Sequence, residues 1–393
     1  MALIPPHSYQ TRPYRVGNRQ SDALHAGDRW HSATKADSHK MVDALTKDRA
    51  PPDGLYFQLD EATYHAIPAL SASGIKNLLI SNPDFWFRSP FNPNRKDENT
   101  EARVIGKAFH KRILEGKEAF YDNYAAIFEA PAGCLRTVDD IKEAITEHGE
   151  KPKGKVKADL IEQVLTLQPN ASIFDELRAD YELLHHGKEF LYGELLDSIE
   201  ISAAMIEKNP HLSKCFGGGY PEVSVIWTED GVRFKARFDY LKTKAVIDLK
   251  TFGNFLNKPI DSAIYSAMAS GKYHIQAAFY LRAVEKAKQL AKELKYVVTT
   301  ACRPDVEDWI KQFRDYAEHD FYFVFQAKGI APLARGKKFL RGSLWSCGEV
   351  AIDEAIRRYK HCMEKHGPDE PWVDDTAIDE FLDDHFPPWT TEL

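Results

Sequence analysis

The chain has 393 residues, 52 Lys and Arg against 59 Asp and Glu, a formal charge of −7 and 43% hydrophobic residues; this excludes a disordered chain and leaves room for one large domain or two ordinary ones. No apolar run approaches the roughly 20 residues that span a bilayer and the N-terminus lacks the apolar stretch of a signal peptide, so a cytoplasmic protein with no membrane attachment is expected. Five scattered cysteines without a C-x-x-C spacing argue against a disulfide framework, a zinc ribbon or an iron–sulfur cluster.

Residues 1–50 are polar with little periodicity and read as a flexible extension. A folded domain is expected over 51–365, with its packed helices setting in near Leu70. There "LSASGIKNLLISNPDFWF" offers Ser71 or Ser73 as a helix cap, apolar residues at helical spacing and a stop at Asn82-Pro83. In "TEARVIGKAFHKRILEG" an apolar stripe runs to Gly116 and His110 lies beside it.

Residues 137–167 read as a separable pair of short helices. Thr137 and Asp140 form a capping-box pattern, and "EKPKGKVK" between the helices carries Lys151, Lys153, Lys155 and Lys157. After a further helical region the period changes from helical to alternating. "YPEVSVIWTEDGVRFKARFDYLKTKAVIDLKTF" reads as an antiparallel meander of three strands, with turns at Glu229–Gly231 and Leu241–Lys244. A helix at "YHIQAAFYLRAVEKAKQLAKEL", strands at "KYVVTTAC" and "DFYFVFQAKG" and a helix at "GEVAIDEAIRRYKHCMEKHG" complete a mixed α/β domain. Residues 366–393 form an acidic tail of nine acids with no Lys or Arg, so the rest of the chain is near neutral and a local basic groove is permitted.

Within the meander Arg233, Lys235, Arg237 and Asp239 share one face of their strand, and Phe234, Ala236 and Phe238 share the other. Asp248 and Lys250 likewise share a face of the next strand. Alone, such an acid and base read as a surface ion pair of little consequence. With Asp239 across the hairpin they read as two carboxylates near enough to need a positive charge between them, which a hard divalent cation such as Mg²⁺ supplies, with Lys250 serving the attacking water.

The segments "GKAFHKRILEG", "FKARFDYL", "VIDLKT" and "YHIQAAFYLRA", in that order, resemble the PD-(D/E)xK nuclease core of the RecB-type branch, especially the exonuclease VIII (RecE-type) family. The resemblance extends over roughly residues 52–375. It implies a restriction-endonuclease-like core with a central mixed sheet, its antiparallel meander flanked by helices. It implies that Asp239 and Asp248 ligate metal together with His110 and the Leu249 carbonyl, and that Lys250 is the catalytic lysine. Gln276 and Tyr280 match the branch's Q-x-x-x-Y motif, and Glu222 matches an accessory acid.

The implied cofactor is Mg²⁺, with Mn²⁺ as a substitute. The implied activity is 5′-to-3′ exonucleolysis of linear double-stranded DNA for recombination, by a homo-oligomer with a single-strand annealing protein as partner. Residues 137–167 resemble a SAP-type DNA-binding module whose four lysines would meet phosphates; a solvated lysine-rich loop is the open alternative. Two other readings also stay open: a noncatalytic recombination scaffold that kept the fold, and an endonuclease.

Overall fold

The computed structural model describes residues 51–390 except 97–99, 255, 300–301, 329–331, 375, 379, 381, 383–386 and 388–389. The proposed extension over 1–50 and much of the acidic tail lie outside the described residues. In chain order the first elements are β1 (Gly54–Tyr56), α1 (Glu61–Ala66), α2 (Ala72–Leu78), α3 (Asn82–Arg88) and α4 (Glu101–His110), which runs into a π-helical turn at Lys111–Glu115. There follow α5 (Lys117–Asn123), β2 (Tyr124–Ala126), α6 (Val138–Glu147), α7 (Lys157–Leu167), α8 (Phe174–Leu184), β3 (Glu189–Leu191) and α9 (Gly193–Lys208). The meander is β4 (Tyr220–Glu229), β5 (Val232–Leu241) and β6 (Ala245–Gly253). The last elements are α10 (Ile260–Ser270), α11 (Tyr273–Lys292), β7 (Tyr296–Val297), α12 (Val306–Asp315), β8 (Asp320–Lys328), β9 (Ala334–Phe339) and α13 (Ser343–His366).

The main sheet runs β7-β1-β4-β5-β6-β8-β9. The meander pairs antiparallel, while β6 and β8 pair parallel over the whole of β6, from Ala245↔Asp320 to Gly253↔Lys328. A parallel neighbour requires a crossover, and α10, α11 and α12 fill it. That crossover seats α11 on the sheet, and Gln276 with it.

Alternation along the strands buries both faces. Val225, Phe234, Phe238, Val246 and Phe323 pack with Ile275, Phe279 and Val284 of α11 and with Ile352 and Tyr359 of α13. On the reverse face Ile247, Leu249 and Val324 pack with Leu114 of the π turn and Ile206 of α9. Asp248 therefore stands on a strand covered on both sides, and its side chain is fully buried.

Several boundaries differ from those expected. The packed body begins before Leu70, because β1 pairs with β4 and α1 lies between β1 and α2. Of "KYVVTTAC" only Tyr296–Val297 form a strand, parallel to β1. The cap of α2 is Ser71, whose hydroxyl accepts from the Gly74 N–H at 3.2 Å. The body also continues past 366, since Trp372 is 1% exposed and stacks on Phe85 at 5.0 Å. A side chain of that size buries 150–250 Å², roughly, and so belongs to the core and not to a solvated tail.

The pair α6 and α7 has an apolar cluster of its own, built from Ile141, Ala144, Ile145, Leu160, Val164 and Ile173. The Thr137–Asp140 capping box is present. Lys151, Lys153 and Lys155 are exposed on the intervening loop, whereas Lys157 pairs with Asp175 at 2.7 Å and caps the Arg136 carbonyl. At Gly154 a Cβ would lie 2.6 Å from that of Asp159 and 2.9 Å from the Leu160 nitrogen, so the loop closes on α7 only with glycine there.

Candidate active site

β5 and β6 are hydrogen-bonded as a ladder only at Tyr240↔Ile247 and Leu241↔Val246, and then part. The next opposed residues are Asp239 and Asp248. Where the ladder stops, the Leu249 N–H donates instead to Asp239 Oδ2 at 2.8 Å. Beyond the turn the two strands are thus held together by a carboxylate, and the gap between them is polar.

His110 enters this gap from the last residue of α4, where the helix loosens into its π turn, a distortion frequent at functional sites. Its Nε2 lies 2.9 Å from the Leu249 carbonyl and 3.3 Å from Asp239 Oδ2, and its Nδ1 lies 2.8 Å from the Gly106 carbonyl. Carbonyl oxygens only accept, so both ring nitrogens are held as donors and the ring as an imidazolium. Burial pushes its pKa down, but the charge and hydrogen bond of Asp239 outweigh this and raise it to about 9. Burial likewise pushes Asp239 up, and His110, Lys250 and the Leu249 N–H outweigh it and hold the carboxyl below its ordinary value.

Asp248, Lys250 and Gln276 form the second half of the site. Lys250 Nζ lies 2.5 Å from Asp248 Oδ2, and Gln276 Nε2 donates to Asp248 Oδ1 at 2.8 Å. Burial raises the Asp248 carboxyl to about 6 against the pull of Lys250, with the charge of Asp239 adding to the rise. Burial pushes the Lys250 ammonium down, but Asp248 and Asp239 outweigh it, so Lys250 stays protonated.

Glu222 faces the same region from β4. Its neighbours pair Pro221↔Tyr240 and Val223↔Phe238, which sets Glu222 opposite Asp239, and its backbone is left-handed at φ 52°. Such a conformation is strained for glutamate and concentrates at functional sites. Tyr280, fully packed at one edge against Phe238, lines the groove with Gln276.

Together these side chains open into a groove of about 1300 Å³ that His110, Asp239, Glu222, Gln276 and Tyr280 line. Its walls carry Lys76, Arg88, Arg95, Lys96, Arg103 and Lys107. With nine Lys and Arg against six Asp and Glu, the groove lining has a modest basic excess within an acidic chain. The structure thus brings His110, Glu222, Asp239, Asp248, Leu249, Lys250, Gln276 and Tyr280 to one place, while Lys151, Lys153, Lys155 and Lys157 stay on the α6–α7 unit.

Among the described residues no three His, Cys, Asp or Glu side chains already stand in ion-holding geometry. The groups bond one another instead, with the His110 N–H between the Asp239 carboxylate and the Leu249 carbonyl. The residues fit a hard divalent ion: two carboxylates, a carbonyl and an imidazole suit Mg²⁺ or Mn²⁺, and Asp248 Oδ2 is buried, 2.5 Å from Lys250 Nζ and without a hydrogen-bond partner among the described residues. No thiol joins the site, the free cysteines being Cys134, Cys215, Cys302, Cys347 and Cys362.

Sequence reasoning missed Tyr273 and Lys76. Tyr273 stands three residues before Gln276 on the same helix face and its ring centroid is 5.2 Å from Lys250 Nζ, so helical spacing from the Q-x-x-x-Y pair could have found it. Lys76, on α2, reaches the same ring at 5.5 Å, and no sequence signal marks it.

A mixed sheet with a buried acid and lysine two residues apart, a second acid on the adjoining hairpin strand and helices on both faces defines the PD-(D/E)xK nuclease class. Residues 71–310 match the model of the PDDEXK-like domain of unknown function (DUF3799), and the chain belongs to that family. No curated protein matches the sequence. A solved structure from Eubacterium rectale, provisionally named an exonuclease, is similar over 86% of this chain and 99% of its own, at 15% identity and a TM-score of 0.44. Among the described residues no helix is long and apolar enough to cross a membrane.

Proposed function

We propose that this protein is a divalent-metal-dependent nuclease that hydrolyses phosphodiester bonds of DNA. The observation that supports this most is the parting of β5 from β6 at Asp239 and Asp248, which leaves two acids, an imidazole, a carbonyl and Lys250 around one polar gap on a basic groove. Asp239, Asp248 and the Leu249 carbonyl would hold the cation, His110 joining them on giving up its Nε2 proton, with Glu222 as accessory acid. When bound, Mg²⁺ polarises the phosphodiester and makes water a better nucleophile. Lys250 orients the attacking water and balances charge at the phosphate, while Gln276 fixes the Asp248 carboxylate through its Oδ1. Tyr280 closes the floor of the groove beside Gln276.

The finer reading is an exonuclease on linear duplex, working 5′ to 3′ to leave single strands for recombination in the cytoplasm. It draws on the resemblance to the exonuclease VIII family, and the homo-oligomer and annealing partner come with it. The lysines of the α6–α7 loop, three of them exposed, would guide the duplex by its phosphates. Digestion of linear and covalently closed circular duplex with Mg²⁺ or Mn²⁺, the two strands labelled separately, tests this reading. The linear form alone should be degraded, with label lost from the 5′ end first. Equal loss of both forms would point to an endonuclease, and absence of any cleavage to a scaffold.

A further inference from the structure

Two lysines in the groove walls have a carboxylate partner, and a third, in the floor, has no carboxylate but spends its ammonium donors on main-chain carbonyls. Lys107 pairs with Glu61 at 2.7 Å, Lys111 with Glu115 at 2.8 Å, and Lys235 donates to the Tyr64 and Ile67 carbonyls at 2.9 and 2.8 Å. Lys76 differs. It is partly buried, its Nζ donates to the Gly271 carbonyl at 3.2 Å and lies 5.5 Å from the Tyr273 ring centroid, and no carboxylate pairs with it among the described residues.

Withdrawing an ammonium from water is unfavourable unless hydrogen bonds or an anion complete it; Lys235 has three carbonyl acceptors and Lys76 has one. The Gly271 carbonyl and an aromatic face offset only part of that loss. Burial, followed by the charge of Lys250, lowers the Lys76 pKa to about 8, and Asp248 pulls weakly the other way. The residue is therefore within electrostatic reach of both Asp248 and Lys250. Of the two lysines that share Tyr273, Lys76 lines the groove and Lys250 lies beneath it, its side chain 15% exposed.

We infer that Lys76 is a second phosphate-binding lysine of the reaction centre, holding a non-bridging oxygen of the substrate strand in the groove. The inference rests on the nuclease reading for the identity of its ligand. Tyr273 sets the spacing of the two ammonium groups by offering one ring to both. The competing role is structural: Gly271 closes α10, and a lysine on a helix-end carbonyl is a common cap.

Binding of a labelled duplex oligonucleotide, measured without turnover in Ca²⁺ across a range of KCl concentrations, separates the two roles for wild type, Lys76→Met and Lys76→Arg. A phosphate contact predicts that Lys76→Met weakens binding about tenfold and flattens the plot of log affinity against log salt by about one unit. Lys76→Arg should keep both near wild type. An unchanged affinity and salt slope in Lys76→Met, with only a lower melting temperature, would overturn the inference in favour of the cap. If wild type binds DNA with the Lys76-dependent slope yet cleaves nothing in Mg²⁺, the nuclease reading fails and Lys76 remains an anion contact. If wild type does not bind the duplex, both fail.

Discussion

Glu222 shows how the register of two strands sets one acid against another. Its carboxyl is set opposite Asp239 by the register of β4 and β5, with a left-handed backbone that glutamate seldom adopts. Burial and then the Asp239 charge raise its pKa from 4.5 to about 7, against the pull of Arg237, although a third of the side chain, 32%, is open to the groove. Between those values this group is protonated more in the folded protein than in the unfolded chain. The contribution of Glu222 to stability in the absence of metal should therefore fall as pH rises from about 4.5 to about 7, while His319, whose pKa burial lowers to about 4, contributes the opposite slope. Urea titrations in EDTA across that range should show the stability of wild type falling relative to that of Glu222→Gln as pH rises. A difference between the two proteins that does not change with pH would contradict the placement of this acid. Asp239, Asp248 and Lys250 were legible from strand alternation, since each shares a parity with a charged neighbour. The conformation of Glu222 was not, because "PEVSV" reads as an ordinary strand and nothing local announces a positive φ.

At the level of elements, the charged row of β5 does something that alternation alone does not reveal. The row faces away from the apolar one as expected, but Arg233, Lys235 and Arg237 all donate to backbone carbonyls, Arg237 also giving its Nε–H to Ser224 Oγ. Arg233 reaches the Pro51 carbonyl, Lys235 the carbonyls of Tyr64 and Ile67, and Arg237 the Leu59 carbonyl at 2.6 Å. The segment from residue 51 to 67 is thereby strapped across β5, and its α1 then holds Lys107 of α4 through Glu61. Since α4 carries His110, the strap supports the site from a distance. Lys235→Met leaves buried carbonyls without a donor and should lower unfolding stability by about 1–3 kcal/mol, read as a fall in the urea midpoint. An unchanged or higher midpoint would show that the strap does not depend on this lysine. The partners of the row were hidden in the sequence because they are main-chain atoms some 170 positions away, where no side-chain pattern marks them.

Across the whole molecule, one sheet joins distant stretches of chain into one site. α4 brings His110, the meander brings both acids and the lysine, and the parallel β6–β8 crossover brings Gln276 on α11. The order of these segments was legible because helical and alternating periods change at their borders. The strands β1 and β7 at the sheet's end were not, being two or three residues long and held by pairing with remote partners. The α6–α7 unit has an apolar cluster of its own and the Thr137–Asp140 capping box.

Hydrolysis of an end-labelled linear duplex tests the central claim most directly, with wild type, Asp248→Asn and Lys250→Ala compared in Mg²⁺ and in EDTA. Wild type should cleave in Mg²⁺ and stop in EDTA, and each variant should lose at least about 10²-fold in rate while still binding DNA. Absence of cleavage by the wild type with Mg²⁺ or Mn²⁺, or full activity in Lys250→Ala, would contradict the account.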